Sequence, residues 1–233
     1  MRQLTFELKA PPKPTFDNFI TGRNQELLGS LMAMLRGEGK ERFMYVWGES
    51  GAGKTHLAQS FLSFCEEHKK VCLNFDRLDS VNDLRGDEFV VAENVDGLLA
   101  ETQIKFFNVY NTIREGSGLV IAFGSVPPHA LNLRADVVTR LGWGLVYQVK
   151  PLEEVDKIRA MQDFAHDKGF SLAREVISYV LSHYRRDLFS LLSLLEGLDR
   201  YSLEVKRKVT VPLVREFLDL LDGRADQAAA NRK

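Results

Sequence analysis

Residues 48–55 read Gly48-Glu49-Ser50-Gly51-Ala52-Gly53-Lys54-Thr55. The spacing is G-x-x-x-x-G-K-[ST], and its chemistry is phosphate binding. Glycines let successive backbone N–H groups curl around phosphate oxygens. A lysine then reaches the outer phosphates, and a threonine hydroxyl can ligate magnesium. A second chemical signal lies in FVVAEN, residues 89–94. Four apolar residues run into Glu93 and Asn94, as in a buried parallel strand that delivers a carboxylate to its C-terminal tip. Glu93 stands where a nucleotide hydrolase usually carries Asp to support Mg2+; its extra methylene can still reach a metal-bound water. Asn94 stands where an acid would serve as base. An amide accepts no proton at neutral pH, so Asn94 cannot be a general base. Asp96 follows, past the expected end of the strand.

These groups need a frame. FMYVW (43–47) reads as a short strand before the loop, and HLAQSFLSFCEEH as a helix after it. VCLNF (71–75), FVVAEN, GLVIAFG (118–124) and LVYQV (145–149) supply further strands, and IKFFNVYNTIREG a helix between two of them. Leu27, Leu28, Leu31, Met32 and Leu35 recur at helical spacing ahead of the first strand. Apolar strands alternating with helices predict a five-stranded parallel sheet covered on both faces. Beyond Pro151 the strands stop and four amphipathic helical stretches follow. The expected organisation is an extended leader over 1–15 with prolines at 11, 12 and 14, an α/β nucleotide-binding domain over 16–151, a small helical domain over 152–222, and a disordered polar tail over 223–233.

Composition narrows the function classes. With 233 residues and a net charge of -1, the chain is not built chiefly to neutralise a phosphate backbone; a local basic run, Lys206-Arg207-Lys208, leaves only weak DNA contact. Cys65 and Cys72 lack C-x-x-C spacing, and the five histidines lack metal-ligand spacing. MRQLTFELKAPPKP has no apolar run of signal-peptide length, and no later stretch could span a bilayer, so a cytoplasmic protein is expected.

The order of FDNFITGRNQELL, the phosphate loop, GSVPPHALN, RLGWG and RRDLF resembles the AAA+ family of the replication initiator DnaA. Within it the chain is most similar to the Hda group of regulatory inactivators. The resemblance runs over residues 1–222 and implies an AAA+ base with a helical lid. Two features point to that group: the sequence ends after the lid, without a helix-turn-helix domain, and it opens on QLTFEL. That hexapeptide resembles a short motif for the β sliding clamp of the replicative polymerase. Gln3 would hydrogen-bond in a polar niche, while Leu4 and Phe6, flanking Thr5, fill apolar pockets. Phe6 departs from the group's usual residue, and a strand docking on its own domain is the alternative.

The remaining roles come from the resemblance alone. Gly22 and Asn24 would frame an adenine pocket, with Phe16 and Phe19 beside them in that pocket or in the core. Arg140 in TRLGWG would be an arginine finger acting on a nucleotide held by a neighbouring protomer. Arg186, or Arg185 beside it, would be the lid arginine that touches phosphate. Ser125 is the one polar residue at the tip of the fourth strand. Glu93 departs from the family pattern, whereas Asn94 agrees with the Hda group. The expected protein binds ADP or ATP, with Mg2+ at Thr55 and Glu93, and has little ATPase activity of its own. It would dock on the clamp, stimulate hydrolysis by DnaA and prevent re-initiation, alone or as a homo-oligomer. The alternative is a self-sufficient ATPase such as a helicase loader.

Overall fold

The computed structural model describes residues 13–77 and 84–230, with side chains up to residue 221. Gln3, Leu4, Thr5 and Phe6 lie outside the described residues. The chain divides into a unit that ends at Leu152 and a helical unit that begins at Glu153.

The first unit is a parallel sheet with helices on both faces. Its strands are β1 (Phe43–Trp47), β2 (Cys72–Asn74), β3 (Phe89–Ala92), β4 (Leu119–Gly124) and β5 (Leu145–Gln148), in spatial order β2-β3-β4-β1-β5. All four pairings are parallel. The phosphate loop follows β1, which lies between β4 and β5, so the loop leaves the sheet between two strand ends. Every residue of β4 is buried, which explains its unbroken apolar sequence.

Helices α1 (Gln25–Arg36) and α2 (Lys54–Glu67) cover one face. Leu27, Leu31, Leu57 and Phe61 pack there with Val46, Ile121 and Phe123, and Phe16 and Phe19 close the edge of this cluster. The other face carries α3 (Ala100–Glu115) and α4 (Ala135–Leu141), which bury Phe106, Val109 and Val137 against Tyr45, Val90 and Val120. Adjacent residues of one strand thus point into opposite layers, the period of two that a pleated strand imposes.

The helical unit consists of α5 (Glu154–Asp167), α6 (Arg174–His183), α7 (Leu188–Glu204) and α8 (Val211–Ala230). Met161, Val180, Leu191, Leu195, Leu213 and Phe217 form its core. Asp187 caps α7, its Oδ1 accepting from the Ser190 N–H at 2.9 Å.

Four details differ from the sequence expectations. β2 stops at Asn74, and Phe75 enters a short 3-10 turn. α3 begins at Ala100, ahead of the apolar spacing that marks it. α4 is too short for periodicity to reveal. The tail expected from residue 223 instead continues α8 to Ala230; its alanines are the strongest helix formers and need no buried face to favour the helix.

Candidate nucleotide site

The loop between β1 and α2 requires glycine at two places for different reasons. A Cβ on Gly48 would lie 2.5 Å from the Val149 carbonyl oxygen, where the end of β5 passes. Gly53 has φ +108°, a conformation L side chains rarely adopt, and Phe19 lies 3.0 Å from where its Cβ would sit. Helix α2 starts at the next residue, so its first N–H groups and the positive end of its dipole open onto the loop. Lys54 Nζ donates to the carbonyls of Gly48 (2.6 Å) and Glu49 (2.9 Å), spanning the turn from within. Burial pushes its ammonium below the ordinary lysine range, and the charge of Asp96 opposes that shift.

Glu93, just past β3, meets this loop. Burial raises the pKa of its carboxyl, the nearby Thr55 hydroxyl works against that rise, and the charge of Asp76 adds to it. The two residues expected to serve Mg2+ are therefore together. Among the described residues no cluster of three or more His, Cys, Asp or Glu could hold a metal alone. A hydroxyl and one carboxylate suit Mg2+, which keeps most of its waters and shares nucleotide phosphate oxygens. The loop likewise fits a nucleotide: backbone donors, a lysine and a helix N-terminus converge on it.

Asn94 is not a strand residue. Its φ is +51°, and its carbonyl accepts from the Gly97 N–H at 2.9 Å to open a short 3-10 turn. Asn tolerates this left-handed conformation better than most residues, so the amide has a local backbone reason as well as a chemical one. That turn carries Asp96 back towards the tip of β4. Ser125 Oγ donates to Asp96 Oδ2 at 2.6 Å, and the Ser125 N–H donates to Oδ1 at 3.2 Å. Sequence reasoning set Asp96 aside as lying beyond the strand. The acid-to-hydroxyl pairing depends on the β3–β4 register, which no local motif announces.

Asn24 is buried, and both ends of its amide are in use: Nδ2 donates to the Lys150 carbonyl at 2.9 Å, and Oδ1 accepts from the Lys150 N–H at 2.7 Å. It clips the start of α1 to the chain leaving β5, which leaves neither end of the amide for a base. Gly22, with φ +49°, makes the turn before it. Phe19 lies against His56, ring centroids 5.4 Å apart, and His56 Nε2 bonds the Thr15 carbonyl at 3.0 Å. The leader thereby reaches the first turn of the phosphate-loop helix.

Arg140 lies on the opposite face, at the end of α4. Gly144, shortly after it, abuts the backbone of Phe43 at the start of β1, whereas Gly48 follows the end of β1. A five-residue strand, about 15 Å, separates Gly144 from Gly48. Its guanidinium lies 3.6 Å from the Phe107 ring centroid and 5.1 Å from that of half-exposed Trp143. Nε and Nη2 both donate to Asn111 Oδ1, at 3.0 and 2.9 Å, and Nη1 to the Asp136 carbonyl at 3.2 Å. Phe107, Asn111 and Trp143 are the positioning partners that sequence reasoning missed; the i, i+4 spacing of Phe107 and Asn111 on α3 was the available signal.

In the helical unit, Arg185 and Arg186 lie in the connection between α6 and α7 rather than on a helix, so their facing is not set by helical rotation. Arg185 pairs with Asp187 at 3.4 Å, while Arg186 Nε donates to the Leu181 carbonyl at 3.1 Å.

Residues 154–218 match the family model for the lid domain of Hda. The helical unit is thus similar to that lid. Domain III of DnaA from Thermotoga maritima is similar over 90% of this chain and 97% of that one, at 22% identity and a TM-score of 0.71. AMPPCP-bound DnaA from Aquifex aeolicus is similar over 85% of this chain and 71% of that one, at 20% identity and a TM-score of 0.66. The RuvB branch migration motor of Thermotoga maritima shares the fold at 15% identity over 92% of this chain and 74% of its own, with a TM-score of 0.64. The family match covers the lid, and these solved structures, each under 25% identical, share the fold of the chain. No helix among the described residues is long and apolar enough to cross a membrane.

Proposed function

We propose that the chain is a regulatory adaptor of replication initiation, which binds adenine nucleotide as a structural cofactor and stimulates ATP hydrolysis by DnaA. The Hda-type lid at 154–218 carries this reading. The phosphate loop, with Lys54, Thr55 and Glu93 converging on it, supports the nucleotide, ADP or ATP, with Mg2+ at Thr55 and Glu93. Bound nucleotide would supply charge that orders the loop; the chain's own residues hold it and, with an amide at position 94, leave it unhydrolysed.

Arg140 is proposed as the finger that acts in trans on ATP held by DnaA. Its place on α4, shortly before the glycine that abuts the start of β1, and its seating on Phe107 and Asn111 support that role. A preoriented guanidinium loses little freedom on reaching a neighbour's phosphate and stabilises charge in the transition state. Docking on the β sliding clamp is assigned to Gln3, Leu4, Thr5 and Phe6. The leader behind them is held on α2 by His56 and by Ser63, whose hydroxyl donates to the Pro14 carbonyl at 3.0 Å.

ATP hydrolysis by DnaA, measured with clamp and DNA, tests the reading. Arg140→Ala should abolish stimulation while leaving clamp binding intact. Leu4→Ala/Phe6→Ala should abolish both. Normal stimulation by both variants refutes the proposed roles. A second reading, intrinsic ATPase, draws on the contact between Glu93 and Thr55; turnover of several per minute by the purified protein without DnaA would favour it.

A further inference from the structure

The tips of β3 and β4 carry a feature that the phosphate loop alone does not require. Ser125 has two hydrogen-bond donors, its N–H and its hydroxyl, and both are spent on the Asp96 carboxylate. Ser125 therefore offers no donor to a ligand, and the tip of β4 presents a carboxylate where a polar donor would otherwise stand. The location is fixed by the sheet. Gly124 is in register with Trp47, and its carbonyl accepts from the Gly48 N–H at 3.2 Å. Asp96 Oδ1 lies 3.2 Å from where a Cβ on Gly124 would sit. Lys54 Nζ donates to the carbonyl of the same Gly48. Carboxylate and ammonium thus flank one short piece of backbone, and the Asp96 charge is felt at Lys54.

In a loop of this type the lysine reaches the β- and γ-phosphates, so a third phosphate would sit at Lys54, where the Asp96 charge is felt. There it would add negative charge beside Asp96, with the Ser125 donors already taken. A diphosphate stops short of that position. Resting on the nucleotide-site reading, we propose that Asp96, clasped to Ser125, is a specificity-determining residue that favours a nucleoside diphosphate over a triphosphate at this loop. Like charges in a partly desolvated site weaken binding by about tenfold or more, and the clasp keeps the carboxylate from swinging away.

The test is calorimetric titration of the full chain with ADP and with a non-hydrolysable ATP analogue, in EDTA so that no metal bridges carboxylate and phosphate. The wild type should bind the diphosphate more tightly. Asp96→Asn, which keeps the shape and removes the charge, should bring the two affinities together by about tenfold, chiefly by tightening the triphosphate. Asp96→Ser, a smaller neutral variant, should do the same. An unchanged affinity ratio in both variants overturns the proposal. Wild-type preference for the triphosphate also overturns it, and leaves the nucleotide-site reading standing. Binding of neither nucleotide overturns that reading and this proposal together.

Discussion

Two glutamates bracket β3, and they are used in opposite ways. Glu88, just before the strand, is buried, and its carboxylate accepts from the N–H groups of Arg85 (2.8 Å) and Gly86 (2.9 Å). Burial alone would raise its pKa, but these backbone donors outweigh it and hold the group below the ordinary glutamate range. Glu93, just after the strand, is shifted the other way: burial raises it, and the Thr55 hydroxyl opposes the rise without reversing it. The same residue type is therefore a satisfied structural tie at the N-terminal edge of the sheet and a strained group at the C-terminal edge. Arg42 follows the Glu88 pattern, its guanidinium spent on the carbonyls of Ile113, Arg114 and Gly118. A parallel sheet places its loops for ligands at the strand C-termini, and the carboxyl there is held by weaker support than the one at the opposite edge.

The largest effect should come from the structural end. Glu88→Ala leaves two backbone donors without an acceptor and should cost about 2–3 kcal/mol at neutral pH, read by urea unfolding. Nucleotide affinity should be unchanged. The pH dependence has a definite sign. Because the folded-state pKa of Glu88 is depressed, its contribution is full above the unfolded value, about 4.3, and is lost as pH falls through the folded one. The gap between wild type and Glu88→Ala should therefore narrow in acid. A gap that widens below that pH would break the contrast between the two glutamates.

Lys54→Ala should do the reverse. Its bonds to the Gly48 and Glu49 carbonyls are partly exposed, so stability should change little. Loss of a charge-assisted contact to phosphate should weaken nucleotide binding by about 1.5–3 kcal/mol, roughly ten- to a hundredfold, by calorimetric titration. A variant that unfolds instead would make the lysine a structural tie like Arg42.

What could be read from the sequence follows the same division. The phosphate loop is written in eight consecutive residues, and the alternation of apolar strands and helices implies the parallel sheet. The division between α/β and helical segments is visible because strands cease after Pro151. Contacts across the sheet are not written locally. Asp96 meets Ser125 across 29 positions and Asn24 meets Lys150 across 126, and each pairing depends on register and loop path. Periodicity specifies which face of an element is buried but not which polar ends meet at the rim. The Arg140 seat shows the limit: TRLGWG marks the arginine, whereas Asn111, which orients it, lies on a different helix.

Glu93→Gln gives the smallest stability change and the sharpest test of the comparison. A carboxyl whose folded-state pKa is raised binds its proton more readily folded than unfolded, so its ionised form destabilises the native state. Removing the charge should therefore leave the protein slightly more stable at pH 7. The difference should vanish as pH falls below the unfolded glutamate value, about 4.3, where the wild-type residue is protonated in both states. Over the same range Glu88→Ala moves from destabilised towards wild type, so the two variants approach the wild type from opposite sides. Mg2+-dependent tightening of nucleotide binding should be weakened in Glu93→Gln, because a neutral amide replaces the carboxylate beside Thr55. Stability lost at neutral pH in Glu93→Gln would mean that the Thr55 hydroxyl outweighs burial, and would make both ends of β3 structural.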